Sequence, residues 1–237
     1  RARPAQGVQP VVSPAAPEYP APHGLLAGKK VLVTAAAGTG IGFAAAKRCV
    51  EEGATVVISD KHERRLAESA DELGVTGIAC DVTVEEDVQR LVAGANEATG
   101  GIDVFINNAG LGGEVPLVDM TDDQWNLVLD VTLNGTFRCM RAEMTHLYAH
   151  GGGVIVNNAS VLGWRAQHGQ AHYAAAKAGV MALTRCAAIE AAEHDVRINA
   201  VAPSLAMHAF LAKVTTDELD YSTYMTGEVV SVSSQHP

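Results

Sequence analysis

Three polar residues in the second half of the chain carry the strongest chemical signal. Ser160 stands thirteen residues before Tyr173-Ala-Ala-Ala-Lys177, within VIVNNASVLGWRAQHGQAHYAAAKAGVMALTRC. On a helix a four-residue step is about one turn, so the phenol and the ammonium point the same way and can act on one substrate. A free phenol titrates at about pH 10, and a neighbouring cation favours its ionised form. The expectation is that Lys177 draws Tyr173 towards the range where it exchanges a proton at physiological pH. Ser160 leaves VIVNN, a buried strand by its pattern, and a hydroxyl at that strand's end is placed to hydrogen-bond a carbonyl oxygen. Alone, a Tyr-x-x-x-Lys pair more often marks an exposed helix face; the surrounding motifs make it a candidate site.

The first of these is Val31 to Gly42, VLVTAAAGTGIG, an apolar run that enters a glycine-rich turn and then the helical pattern FAAAKRCVEEG. Gly38, Gly40 and Gly42 let the backbone crowd a ligand phosphate, while the following helix offers free N–H groups and its positive dipole end. Further on, TVVISD closes a second apolar run on Asp60, where a carboxylate can accept hydrogen bonds from an adenosine ribose. Asp81-Val82 follows a third run and Asn107-Asn108-Ala109-Gly110 a fourth. Together these stretches read as a dinucleotide site.

From Lys29 onward, short apolar runs alternate with helical periods: VLV, TVVIS, VTGIAC, DVFIN, GVIVNN, VRINAVAP and finally EVVSV. Strands alternating with helices predict a parallel sheet covered on both faces, and right-handed crossovers make it doubly wound. The expected fold class is α/β, a single Rossmann-type doubly wound parallel sheet of about seven strands with helices on both faces. Its ligand crevice belongs at the carboxyl ends of the strands, where each motif falls. Residues 1–27 are expected to be a flexible or surface-packed Pro/Ala-rich arm and 28–237 the Rossmann domain.

With these motifs in this order, the chain resembles the short-chain dehydrogenase/reductase family from about Leu26 to Asn199. The resemblance implies that Thr34, Gly38, Gly40, Ile41 and Gly42 form the pyrophosphate loop, that Asp60 reads the ribose, and that Asp81 and Val82 touch the adenine. It places Asn108, Ala109, Gly110 and Pro203 along the rest of the cofactor. Ser160, Tyr173 and Lys177 are implied to be the catalytic serine, the proton-transferring tyrosine and the lysine that holds the nicotinamide ribose. The implied activity is hydride transfer between a nicotinamide cofactor and a secondary alcohol or ketone, a small-molecule substrate. A homotetramer through the helices carrying Thr132 and Tyr173 is implied as well. Within the family, TAAAGTGIG, NNASVLGWRAQH and GEVVSVSSQHP are most similar to actinobacterial reductases of sterol C/D-ring catabolism, which implies a bicyclic acyl-CoA substrate. The competing readings are a 3-oxoacyl-thioester reductase and, in another class, a non-catalytic NAD(H)-binding sensor or scaffold. A hydrolase is not supported, because Ser160 lacks the G-x-S-x-G elbow.

Three features depart from the family pattern. Thr34-Ala35-Ala36-Ala37-Gly38-Thr39-Gly40-Ile41-Gly42 lacks the first glycine of T-G-x-x-x-G-x-G and carries one extra residue, so the phosphate grip is expected to differ in detail. Thr132 occupies the asparagine position of V-N-L-x-G-x-F. Asn134, two residues on, is turned about 200° away on a helix and is expected at the surface or an interface. By resemblance, losing that asparagine slows proton exchange without abolishing hydride transfer. The stretch before the last strand is short by about thirty residues near Leu219/Asp220; the favoured reading is a disordered substrate lid, the alternative a deleted one.

At 237 residues, 48% hydrophobic with 23 glycines, the chain suits one domain able to bury a sizeable core. A formal net charge of −10 makes nucleic acid an unexpected partner. Cys49, Cys80, Cys139 and Cys186 lack C-x-x-C spacing and read as free thiols of a reducing cytosol, so a cytoplasmic location is expected. No apolar run reaches the roughly eighteen residues that a membrane span requires. His168 and His172 are four apart, but Gly169 lies between them and no third ligand is in view, so no metal is expected. Trp164, Arg165 and Gln167 are expected, by resemblance, to border the substrate pocket. Asp60 favours NAD(H) over NADP(H), since a carboxylate accepts from both ribose hydroxyls and repels an added phosphate. Against this, Lys61, Arg64 and Arg65, just beyond, are candidates to reach such a phosphate, though they read more readily as a solvated helix face.

Overall fold

The structure, a computed structural model, describes residues 19–204. Six strands form one sheet: β1 (Lys30–Val33), β2 (Thr55–Asp60), β3 (Thr76–Ala79), β4 (Val104–Asn107), β5 (Gly153–Asn158) and β6 (Val196–Val201). Their order is β3-β2-β1-β4-β5-β6, and every pairing is parallel. The connecting helices are α1 (Ile41–Glu51), α2 (Glu63–Leu73), α3 (Glu85–Thr99), α4 (Asp122–Leu129), α5 (Gly135–Ala149) and α6 (Ala171–Ala191). The expected seventh strand and the expected break near Leu219/Asp220 lie outside the described residues.

The strands are rich in β-branched residues, and their period of two sorts the side chains between two cores. Val31, Val33, Val56 and Ile58 pack with Ala46 of α1 and Leu66 of α2. Leu32, Val57, Phe105, Ile155 and Ile198 pack with Leu91 of α3, Leu147 of α5 and Ala188 of α6. Burying each such large side chain contributes about 1.5–3 kcal/mol. Within the second core lies a polar cluster: Asn107 Nδ2 donates to Glu143 Oε2 (2.8 Å) and Asn157 Oδ1 (3.0 Å), and Asn157 Nδ2 donates to Thr184 Oγ1 (2.9 Å). It ties α5 and α6 to the ends of β4 and β5.

From β1 the chain winds outward to β3, then crosses to β4 and winds out to β6 on the other side. A crevice therefore opens where β1 and β4 lie side by side. Residues 19–27, part of the arm expected to be flexible or surface-packed, pack against the end of α1. Glu52, 3% exposed, accepts the N–H groups of His23 and Leu25, both at 2.9 Å, and the Arg48 guanidinium reaches the carbonyls of Pro20 and Ala21. One buried carboxylate and its neighbouring cation thus order a stretch with no periodicity of its own.

Candidate active site

The ends of β1 and β4 are locked together at the crevice. Thr34 Oγ1 accepts the backbone N–H of Asn108 (3.0 Å) and Ala109 (3.3 Å), and Asn108 Nδ2 donates to the Ala35 carbonyl (2.9 Å). Thr34 is 1% exposed and acts as a strut inside this frame. Gly42 serves the same packing, because a Cβ there would lie 2.4 Å from both Ala35 O and Asn108 Nδ2. Gly38 and Gly40 are different: a Cβ on either meets nothing within 4 Å, so the outer surface of the loop is open. At Gly40, α1 begins with no side-chain cap, leaving its first N–H groups as donors for an anion. Ala35, where the family carries glycine, adopts φ +50, a left-handed conformation costing an L-residue about 1–2 kcal/mol.

The extra loop residue is tied to the second strand–helix unit. Gly38 N–H donates to Ser69 Oγ on α2 (2.9 Å), and Ala37 N–H approaches Asp60 Oδ2 at 3.4 Å. The other oxygen of Asp60 accepts His62 N–H (2.9 Å). A cavity of about 210 Å³ extends from Asp60 to Gly110, lined also by Ala35, Asp81, Val82, Ala109 and Leu111. Lys61, His62 and Arg65, all exposed, share its wall, while Arg64 pairs outward with Glu68 (3.1 Å). The open glycine surface, the uncapped helix start and a carboxylate on the cavity wall fit the pyrophosphate and ribose of a dinucleotide.

Ser160 ends β5's extension and caps the turn Val161–Gly163, its Oγ accepting Leu162 N–H (3.2 Å). Pro203, just past β6, braces this turn through its carbonyl, which accepts Val161 N–H (3.1 Å). Ala-rich α6 places Tyr173 and Lys177 one turn apart, with the Lys177 Nζ 5.6 Å from the Tyr173 ring centre and donating to the Asn158 carbonyl. The segment after β4 lies over this pair: Gly110 faces Lys177 Nζ and Gly112 faces the Tyr173 ring, each within 4 Å of where a side chain would begin. The three residues singled out by spacing are thus brought together. Their titration is not as expected. Burial raises the Tyr173 phenol above its ordinary value, with its Ser160 hydrogen bond opposing, and burial lowers the Lys177 ammonium to about 8. Desolvation disfavours both charges, and the ammonium is engaged with a carbonyl of β5 rather than the phenol. The resting pair at neutral pH is a neutral phenol beside an ammonium.

Between α4 and α5 the helix makes a π-helical turn, Asp130–Asn134. Thr132, fully buried there, accepts Leu111 N–H (3.0 Å) and donates to Leu111 O (3.1 Å), fixing the segment that covers the pair. Asn134 is exposed and bonds Asp130 (3.2 Å). Trp164, 47% exposed, follows the turn that Ser160 caps. His172 is buried, whereas His168 is exposed and lies 3.7 Å from Glu114. Sequence reasoning passed over Ser69 and Asn158. Nothing near Ser69 signals its role, but the doublet Asn157-Asn158 repeats Asn107-Asn108, with Asn107 and Asn157 in register across β4 and β5.

A family model of short chain dehydrogenases matches residues 29–219. The chain belongs to that family of oxidoreductases. It is 55% identical over 257 aligned positions to the (5R,7aS)-5-hydroxy-7a-methyl-1-oxo-2,3,5,6,7,7a-hexahydro-1H-indene-carboxyl-CoA reductase of Mycobacterium tuberculosis, covering 94% of this chain and 98% of that one. Identity to a 3-oxoacyl-acyl-carrier-protein reductase of Vibrio harveyi is 38%, over 75% of this chain and 73% of the other. The crystal structure of a short chain dehydrogenase from Mycobacterium smegmatis aligns with a TM-score of 0.80 at 56% identity, covering 94% and 98% of the two chains. No helix among the described residues is long and apolar enough to cross a membrane.

Proposed function

We propose that this protein is an NAD(H)-dependent reductase acting reversibly on a ketone of a bicyclic acyl-CoA, the substrate type for which the M. tuberculosis reductase is named. The observation that carries the reading is the convergence of Ser160, Tyr173 and Lys177 at the β5 end of the crevice. A bound nicotinamide supplies the hydride. Ser160 and Tyr173 hold the carbonyl oxygen, and Tyr173, neutral in the resting site, donates its proton as negative charge develops there. Lys177, as an ammonium, stabilises the phenolate left behind and holds the nicotinamide ribose. Gly38, Gly40, Ile41 and the start of α1 hold the pyrophosphate, Asp81 and Val82 the adenine, and Asn108 to Gly110 the span between. Asp60 sets the preference for NAD(H), opposed by Lys61 and Arg65 on the same wall. Exposed Phe137 on α5 and Ile189 on α6 support a homotetramer through these helices, and the free thiols a cytoplasmic setting.

The test is fluorescence titration with NADH and NADPH, followed by turnover of bicyclic ketone acyl-CoA and straight-chain 3-oxoacyl thioesters by wild type and Tyr173→Phe. Expected are tighter NADH than NADPH binding, a preference for the bicyclic thioester, and a loss of at least about 10²-fold in kcat for Tyr173→Phe. Preference for straight chains would move the assignment to a 3-oxoacyl-thioester reductase. NADH binding without turnover of any carbonyl would leave a sensor.

A further inference from the structure

β5 ends in two asparagines with different surroundings. Asn157 is fully buried and engaged by Asn107, Thr184 and Met140 Sδ. Asn158 touches both halves of the crevice. Its carbonyl accepts Lys177 Nζ, its Nδ2 donates to Asn108 Oδ1 (2.8 Å), and Asn108 Nδ2 continues to the Ala35 carbonyl of the glycine loop (2.9 Å). Asn108 N–H is in turn fixed by Thr34 Oγ1. One chain of bonds therefore runs from the lysine to the loop, with Asn158 in its middle. Asn158 Oδ1 is buried without a hydrogen-bond partner, an arrangement costing about 1–3 kcal/mol. The other polar residues near this turn of the site are committed elsewhere: the Thr132 hydroxyl is engaged twice by Leu111, and Asn134 is on the surface.

We propose that Asn158 is a positioning residue that holds Lys177 in register with the dinucleotide loop, so that the grip on the cofactor and proton transfer at Tyr173 depend on one bond chain. The inference rests on the hydride-transfer reading above, and its test reads cofactor binding separately from turnover. Asn158→Ala and Asn158→Asp, the latter keeping the volume but removing the donor to Asn108, are compared with the surface variant Asn134→Ala.

Because small misplacements at a reacting centre cost up to about 10²-fold, both Asn158 variants are expected to weaken NADH binding and lower kcat by about 10-fold each. The KM for the carbonyl substrate should stay within about threefold, since the substrate pocket is untouched, and Asn134→Ala should match wild type. Wild-type NADH affinity and kcat in a folded Asn158 variant would overturn the inference, as would equal losses in Asn134→Ala. Should Asn158→Ala not fold, Asn158→Asp gives the same reading. If wild type reduces no carbonyl, the hydride-transfer reading fails by itself, and the NADH affinities of the variants still decide whether the bond chain positions the loop.

Discussion

Lys177 is 2% exposed and titrates at about 8, against an ordinary 10.5, because burial disfavours its charge. Between those two values the unfolded chain binds the proton that the folded chain has released, so stability rises with pH across that window. Below about 8 the full penalty is present. Lys177→Met should therefore abolish turnover yet raise unfolding free energy at pH 7 by about 1–3 kcal/mol, with the gain shrinking towards pH 10. Denaturant unfolding at the two pH values checks this, and a variant less stable than wild type at pH 7 would refute it. The identities of Ser160, Tyr173 and Lys177 were legible because residue type and spacing are local properties. The direction of the Tyr173 shift was not, because it depends on how α6, β5 and the segment after β4 enclose the phenol.

At the scale of elements, the strands and helices were legible from their periods, and the glycine loop from its composition. The loop's internal strain was not, since sequence gives no φ for Ala35. With φ +50, Ala35 is the residue for glycine to replace. Ala35→Gly is expected to stabilise the protein by about 0.5–1 kcal/mol, the relief at positive φ exceeding the entropy gained by the unfolded chain. NADH affinity should be unchanged, because Ala35's carbonyl keeps its bond from Asn108. A lower unfolding midpoint in urea would show that the backbone there is held without strain. The pinning of residues 19–27 was equally hidden, since it depends on Glu52 and Arg48 meeting backbone groups more than twenty residues away.

For the molecule as a whole, the buried cluster around Glu143 links α5 and α6, two of the three helices on one face, to the sheet. Burial pushes the Glu143 carboxyl up to about 8 from an ordinary 4.5, with its Asn107 hydrogen bond opposing. The folded chain keeps this proton while the unfolded chain releases it, so stability falls as pH rises from about 4.5 to about 8 and then levels. Glu143→Gln should remove that slope: little changed at pH 5, and more stable than wild type by about 2–3 kcal/mol at pH 8, as read by urea midpoints. An equal difference at both pH values would mean that the carboxyl does not titrate in this range. The parallel order of the strands has an electrostatic consequence. α1 and α6 each follow a strand and begin at the rim where the strands end, with no acidic residue in the first turn, and each of these two helix starts presents about half a positive elementary charge. A chain of formal charge −10 repels an anionic dinucleotide, yet these two helix starts attract it within a Debye length of about 8–10 Å. Capture of the ligand is thus decided in the last nanometre of its approach.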